Sequence, residues 1–293
     1  MKRILIQIAL LASIILTALL LTGCNVFIKK VPHEIETRQF DYSDFTAVDI
    51  GDAFYYEINR ADTYSISITA GVDLLEHVRV TVQGDTLKID IRPTFNVSTR
   101  YPTEAIITMP RLTGLDGSGS TDGFISGFSS TENLNIQLSG ASDLVLTDIS
   151  VGDLSCELSG SSKLKLKDIK TNDADFSLTG ASDLLGDLTA SDTGFILSGS
   201  SSVRLQGSGN DLMVDASGAS DIELTDFPVH NADIILSGSS ECEISPEGTL
   251  DIEVSSASEL IYYGNASISN IDIAGGSEVI KKGPGGSGRL STP

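Results

Sequence analysis

The sequence predicts an all-β fold, a single-stranded β-solenoid with an N-terminal β cap. A small-residue tetrad of the form Ser-Gly-(Ala/Ser)-Ser recurs about every 20 residues along the C-terminal two-thirds of the chain. Apolar and polar residues alternate between the tetrads, which is typical of half-buried strands. Helical spacing is absent over any useful length after residue 30. A stack of equal turns accounts for such a period.

We interpret the tetrads as the corners of successive turns rather than as ligand-binding motifs. Their glycines are separated by 21, 20, 20, 19, 19 and 20 residues, and a weaker copy follows near the C-terminus. Glycine suits a corner that needs a positive φ angle or a close approach of two backbones. The predicted corner glycines are Gly119, Gly140, Gly160, Gly180, Gly199, Gly218, Gly238 and Gly275.

Each turn is predicted to contain a strand, the tight corner, a second strand and a polar return. Leu154, Cys156 and Leu158 show the alternation before one corner. Thr147-Asp148 and Thr225-Asp226 are the expected polar returns. Equivalent strands of successive turns then pair in parallel, about 4.8 Å apart, with columns of aliphatic side chains inside.

The solenoid domain is predicted to span residues 43–283. Residues 43–116 form its N-terminal cap and early turns, and residues 117–283 contain the repeats. A hairpin is expected around Gln83-Gly84-Asp85-Thr86. A cap is needed because bare strand edges aggregate. The glycine-rich residues 284–293 are predicted to be a flexible tail.

Residues 1–23 are predicted to be a targeting segment. Lys2 and Arg3 precede a nearly continuous apolar run that ends at Leu21-Thr22-Gly23-Cys24. This pattern resembles the bacterial lipoprotein signal, which implies that Cys24 is diacylated and becomes the mature N-terminus. Residues 24–42 would then be a tether from the membrane. A plain transmembrane anchor is the alternative, since the run approaches the spanning length.

Composition narrows the functional classes. The formal net charge is −21, and nucleic-acid binding is therefore not expected, because it needs a basic face. Trp is absent and aromatic residues make up 6% of the chain, so the core must be aliphatic. The acidic surface fits an extracytoplasmic, membrane-anchored protein and is compatible with divalent cations.

An acidic residue follows most tetrads and would form a column along the stack. In four consecutive turns these residues are Asp221, Glu241, Glu259 and Glu278. Two interpretations stay open for this column. Ca²⁺ could bridge the carboxylates, or each could point to water or accept hydrogen bonds from its own corner. The second interpretation is favoured, and no cofactor is assigned.

The sequence does not predict an enzyme. The three histidines share no ligand spacing, and no Ser-His-Asp or zinc arrangement is supported. Cys156 and Cys242 lie about 19 Å apart along the predicted axis, too far for a disulfide. Cys156 is expected in the core. Cys242 is expected one residue off the apolar column and partly exposed.

The combined pattern resembles the head GIN domain family of autotransporter adhesins. The resemblance covers nearly all of the mature chain. It implies a right-handed parallel β-helix-like fold on bacterial cell surfaces, often lipid-anchored, and it supplies no catalytic residues to carry over. The residues that carry it are Phe45-Thr46-Ala47-Val48, Gln83-Gly84-Asp85-Thr86-Leu87, Pro110-Arg111-Leu112 and the serial Ser-Gly-(Ala/Ser)-Ser corners.

The favoured function is a lipid-anchored cell-envelope adhesin or binding module. Its repetitive Ser/Asp-rich face would contact a glycan or a surface protein, and the lipid would contact the membrane. The alternative is an envelope scaffold that self-associates, which exposed apolar strand edges at residues 271–280 would favour. Polysaccharide processing is less favoured, because the acids form a column rather than one unique pair.

Overall fold

The computed structural model describes residues 34–92, 103–283 and 288–291. Strands account for 64% of the structure, which is a parallel β-solenoid of about 8 turns, so the predicted fold class is confirmed. Residues Ile35–Pro293 form one compact unit. Within the described residues, no helix is long and apolar enough to cross a membrane. The predicted signal peptide, Cys24 and residues 25–33 of the tether lie outside the described residues.

The strands form two sheets, and most turns contribute one strand to each. Sheet 1 contains β1 (Ile35–Phe40), β3 (Phe54–Arg60), β4 (Ser65–Gly71), β7 (Thr103–Met109), β9 (Asp122–Ser126), β11 (Asp143–Ser150), β13 (Lys163–Lys170), β15 (Asp183–Thr189), β17 (Ser202–Ser208), β19 (Asp221–Val229), β21 (Glu241–Pro246), β23 (Glu259–Tyr263), β25 (Glu278–Lys282) and β26 (Gly288–Ser291). Sheet 2 contains β2 (Ala47–Ile50), β5 (Val78–Gln83), β6 (Thr86–Ile91), β8 (Gly114–Gly117), β10 (Leu134–Leu138), β12 (Leu154–Leu158), β14 (Ala174–Leu178), β16 (Asp192–Leu197), β18 (Asp211–Ala216), β20 (Asn231–Leu236), β22 (Thr249–Val254) and β24 (Ser267–Ile273). A single helical turn, α1 (Val72–Leu75), precedes β5.

The core lies between the two sheets and is built from columns of inward side chains. Leu134, Leu154 and Ala174 occupy one column, paired in parallel from turn to turn. The rings of Phe176 and Phe195 stack in another, with centroids 5.4 Å apart. Each fully buried Leu, Ile or Phe contributes about 1.5–3 kcal/mol through removal of its surface from water. The stack is therefore held mainly by aliphatic burial.

Both cysteines of the described chain are free and buried. For Cys156 this agrees with the sequence analysis, but for Cys242 the prediction of partial exposure was wrong. Cys242 pairs with Ile222 on one side and Leu260 on the other, so it belongs to an inward column. Its position, two residues after a buried corner serine, is the position that faces the core in every repeat.

The N-terminal cap closes the stack with strands that come later in the sequence. β6 and β7 pair in parallel with β2 and β3, on the side away from the repeats. β5 and β6 form the predicted antiparallel hairpin. β4 pairs antiparallel with β7, and β1 pairs antiparallel with β4.

The ends of the described chain differ from the sequence analysis in two places. Strand structure begins at Ile35, inside the segment predicted to be a tether, because β1 adds to the edge of sheet 1. β26 falls inside the predicted tail and pairs antiparallel with β25. Such edge strands are mostly exposed and lack the apolar alternation by which strands are recognised.

The expected polar returns also lie elsewhere. Thr147-Asp148 and Thr225-Asp226 are inside β11 and β19, which continue for two or more residues beyond them. Asp148 and Asp168 both have a left-handed φ of 55°, and β11 and β13 are paired again beyond them at Ile149 and Ile169. The return follows Ser150 in one turn and Lys170 in the next.

Candidate functional site

The corner glycines form a ladder of close backbone contacts. The φ angles of the predicted corner glycines are all positive, from 65° to 85°. At Gly160, an added Cβ atom would lie 2.4 Å from the carbonyl oxygen of Gly140. The amide of Ser161 donates to that same oxygen at 2.8 Å. The corner backbone is therefore occupied by turn-to-turn hydrogen bonds and is not free to bind a ligand.

The last serine of each tetrad faces the interior. In the middle turn, Ser182 is fully buried and its hydroxyl donates to the carbonyl oxygen of Thr179 at 2.8 Å. The same bond closes six other corners, through Ser142, Ser162, Ser201, Ser220, Ser240 and Ser258. The serine half of the expected Ser/Asp-rich face is thus partly turned inward, where it stabilises the corner.

The acidic column has the register expected from the repeat. Asp221 pairs with Glu241, Glu241 with Glu259, and Glu259 with Glu278. Burial raises the pKa of Glu241, and the neighbouring Glu259 and Asp221 raise it further. Among the described residues, no group of three or more His, Cys, Asp or Glu side chains could hold a metal ion.

A groove of about 600 Å³ runs across the outer face of sheet 2, and we call it the acidic groove. It spans six strands, from β14 to β24. The carboxylates that line it are Asp173, Asp175, Asp192, Asp211, Asp233 and Asp251. Burial raises the pKa of Asp233, and the charge of Asp251 adds to the effect.

The acidic groove exists because one strand lacks an outward side chain. Gly194 pairs with Asp175 on one side and Met213 on the other. A Cβ atom at Gly194 would lie 2.6 Å from the Oδ1 atom of Asp175. Apolar surface borders this gap, since Met213 is 50% exposed and Ile196 is 58% exposed.

An unsatisfied hydroxyl group lies beneath the acidic groove. Thr193 stands at an inward position of β16, paired with the buried Ala174; it is only 2% exposed, and its Oγ1 atom makes no hydrogen bond within the described part of the chain. Because this hydroxyl faces the core, it is not counted among the ligand contacts. The groove itself offers carboxylate acceptors and aliphatic surface, a set that suits a ligand rich in hydroxyl groups and C–H faces.

A second groove, of about 480 Å³, lies on the outer face of sheet 1, and we call it the lysine groove. Its cations are Lys165 and Lys167 on β13 and Arg204 on β17, and its carboxylates are Asp168, Asp187, Glu223 and Asp226. Arg204 pairs with Glu223 at 2.5 Å. The lining of the lysine groove includes Gly186, where an added Cβ atom would clash with the backbone of Leu166.

Sequence reasoning missed both grooves, because each is assembled from residues that lie 19 or 20 positions apart. Two local signals were available. Gly194 interrupts an outward row of polar residues, and β13 reads Lys-Leu-Lys-Leu-Lys, which is unusual in a chain of this net charge. Neither signal specifies a groove until the register between turns is known.

A family model described as "Putative auto-transporter adhesin, head GIN domain" matches residues 44–167 and 157–266. No curated protein matches the sequence. The crystal structure of a "Putative lipid binding protein" from Parabacteroides distasonis is similar, with a TM-score of 0.67 at 18% identity over 86% of this chain and 98% of that one. A "putative adhesin" from Parabacteroides merdae has a TM-score of 0.64 at 16% identity, over 86% of this chain and 97% of that one. At these identities the two likenesses establish the fold alone.

Proposed function

The chain belongs to the family described as "Putative auto-transporter adhesin, head GIN domain", and from this membership we propose a lipid-anchored cell-envelope protein that binds a glycan through the acidic groove. The family points to an extracytoplasmic location and a surface partner. The family and its structural neighbours are described as adhesins or binding proteins, and we propose no catalytic role.

The observation that carries the proposal is the composition of the acidic groove. Asp192 and Asp211 offer acceptors for sugar hydroxyl groups. Met213 and Ile196 offer aliphatic surface to the C–H faces of a sugar ring. Because these groups stand on paired strands rather than on loops, they are held in fixed positions.

Retention on a glycan surface tests this proposal. Beads coated with the protein should be retained on desialylated mucin but not on periodate-oxidised mucin. The variant Ile196→Glu/Met213→Glu should lower retention about fivefold or more, since it places charge on the aliphatic contacts. Ile35→Glu is the matched control, because Ile35 is 52% exposed on β1, far from the groove in the order of strands.

Two outcomes would contradict the glycan proposal. Wild-type beads could fail to bind mucin, or they could bind oxidised and untreated mucin equally. Stronger retention on unglycosylated fibronectin, lost in the same double variant, would assign the groove to a protein partner instead.

The lipid anchor rests on the Leu21-Thr22-Gly23-Cys24 pattern, which lies outside the described residues. Wild-type protein expressed in a bacterial host should incorporate labelled palmitate and sediment with membranes. Cys24→Ala should abolish labelling. If Cys24→Ala remained membrane-bound and wild-type processing also left the leader uncleaved, the transmembrane alternative would replace the lipid anchor.

The open edge of sheet 2 favours self-association as a second candidate function. β24 is the last strand of this sheet, and Ile268 and Ile271 on it are each 38% exposed. An unpaired apolar edge accepts another strand, and antiparallel pairing of β24 with β24 of a second copy would close a symmetric dimer.

Sedimentation equilibrium would test this dimer. The wild-type protein should show a concentration-dependent dimer that Ile268→Asp abolishes and Ile196→Asp leaves unchanged. A monomer at all concentrations would exclude the dimer and leave the glycan proposal untouched.

A further inference from the structure

Strand β13 carries an unusual concentration of positive charge. Four of the 19 Lys and Arg residues in the chain, Lys163, Lys165, Lys167 and Lys170, lie on this one strand of eight residues. All four are exposed, while the residues that alternate with them, Leu164 among others, are buried in the core. The lysines are therefore displayed on the outer face of sheet 1.

The four lysines form a line along the strand. Lys163, Lys165 and Lys167 alternate, so successive lysines are about 6.6 Å apart on one face. The left-handed residue Asp168, with a φ of 55°, shifts the alternation and keeps Lys170 exposed as well. The line spans about 20 Å.

Most of this charge has no protein partner. Lys163 lies 3.9 Å from a carboxylate oxygen of Asp183, a loose and exposed ion pair. Lys165, Lys167 and Lys170 make no ion pair with any described residue. In a chain with a net charge of −21, unpaired lysines beside many available carboxylates indicate a site that can receive an external anion.

The positive strip is one strand wide. On β11, Asp143 lies opposite Lys163, and on β15 Asp183 does so, each about 4.8 Å away. A flat anionic surface such as a membrane would press against these flanking carboxylates as well as the lysines. A thin polymer can follow the strip and avoid them.

The surroundings of β13 narrow the kind of polymer. The backbone of β13 is paired on both sides, with β11 and β15, so a peptide could not bind by adding a strand. No aromatic residue occurs on β11, β13, β15 or β17, so base stacking has no platform. Charge would have to supply the affinity.

We propose that β13 is a binding site for a linear anionic polysaccharide, which lies along the strand and places its acidic groups on the lysines. The lysine groove recesses the surface around Lys165 and Lys167, where this polymer would lie. Arg204, now paired with Glu223, can add a further contact. This site is on the opposite sheet from the acidic groove and goes beyond the function proposed for that groove.

Direct binding measurements test the proposal. The protein should bind polygalacturonate, a linear polyuronate, and not neutral dextran, and binding should weaken steeply as NaCl rises from 50 to 300 mM. Lys165→Gln/Lys167→Gln should weaken binding about fivefold or more, as expected for the loss of two exposed charge contacts. Lys281→Gln/Lys282→Gln is the matched control, because it removes two lysines from the end of the stack and should change affinity less than twofold.

Several outcomes would overturn the site. Equal weakening by the two double variants would show non-specific attraction. Binding of phosphatidylglycerol vesicles or of a single-stranded oligonucleotide, in place of polygalacturonate, would assign the strip to another partner. Absence of polygalacturonate binding would remove the site altogether. The groove variant Ile196→Glu/Met213→Glu should retain polygalacturonate binding, so this test and the mucin test can fail independently.

Discussion

The backbone of Gly160 rests directly on the carbonyl oxygen of Gly140, and a Cβ atom added to Gly160 would lie 2.4 Å from that oxygen. The contact recurs from turn to turn, with distances of 2.4 or 2.5 Å between the added Cβ and the preceding oxygen from Gly119 to Gly238. Each corner thus fixes the distance to the next, and a side chain at any of them would push two turns apart.

Gly160→Ala should destabilise the protein strongly. The left-handed φ costs a non-glycine residue about 1–2 kcal/mol, and relief of the backbone clash adds about 1–3 kcal/mol. Gly276→Ala is the control, since Gly276 has a φ of 79° but nothing within 4 Å of its added Cβ. Guanidinium unfolding followed by circular dichroism should show a larger loss for Gly160→Ala. Equal losses would mean that φ alone, and not the stacked contact, demands glycine.

Ser182→Ala should lower the free energy of unfolding by about 1 kcal/mol. The substitution removes the hydroxyl that donates to the carbonyl oxygen of Thr179 and leaves that corner without its closing bond. Ser161→Ala, at the exposed third position of a corner, should change stability by less than about 0.5 kcal/mol. If the two variants were equally stable in chemical denaturation, the buried hydroxyl would have no structural role.

The thermal stability should rise as the pH falls from neutral toward the raised pKa values of Asp233 and Glu241. Burial and neighbouring carboxylates raise the pKa of Asp233 and of Glu241 in the folded state. A carboxyl group whose pKa is higher in the folded than in the unfolded state lowers the free energy of unfolding at neutral pH, because its ionised form is less stable in the folded protein. That loss of stability is relieved as the pH falls through the folded pKa.

Asp233→Asn/Glu241→Gln should therefore raise the melting temperature at pH 7.5 and flatten its dependence on pH. Glu34→Gln/Asp41→Asn removes the same number of charges from exposed positions near the start of the described chain and provides the control for net charge. Identical pH profiles for the two double variants would show that overall charge, and not these two sites, sets the dependence.

Millimolar Ca²⁺ should leave the melting temperature within about 1 °C of a control matched in ionic strength. The acids of the column stand on neighbouring strands, but the described residues contain no group of three that could hold a metal ion. A large rise that EGTA reverses, and that Glu241→Gln/Glu259→Gln abolishes, would instead establish a row of bound cations.

The repeat could be predicted from the sequence, because most turns need a glycine at their corner, where φ is positive and the backbones of two turns are in close contact. A corner glycine such as Gly180 can be found by its spacing alone. The irregular steps in that spacing also have a structural cause, since β13 bulges at Lys167 and Asp168 relative to β15. The chain thereafter needs one residue fewer, and the next glycine, Gly199, follows after 19 residues.

The two grooves could not be predicted from the sequence, because they depend on the register between turns. Gly194 and Met213 belong to adjacent strands, and only the pairing of β16 with β18 brings them together in the acidic groove. The sequence also does not predict whether a given side chain within a corner points inward or outward. Ser161 and Ser162 are chemically identical neighbours, yet one is exposed and the other is buried.

The strand order of the cap imposes an order of folding on a chain that is synthesised from its N-terminus. On its outer edge β3 pairs with β7, which comes much later in the chain. Phe54, for example, pairs with Thr103, 49 residues further on, so this pairing must wait until β7 has been made. Each later strand pairs with the equivalent strand of the preceding turn, which lies only about 20 residues earlier in the chain and is already folded. Assembly is therefore slow to start and quick to extend, and a chain arrested before Met109 would leave the outer edge of β3 unpaired.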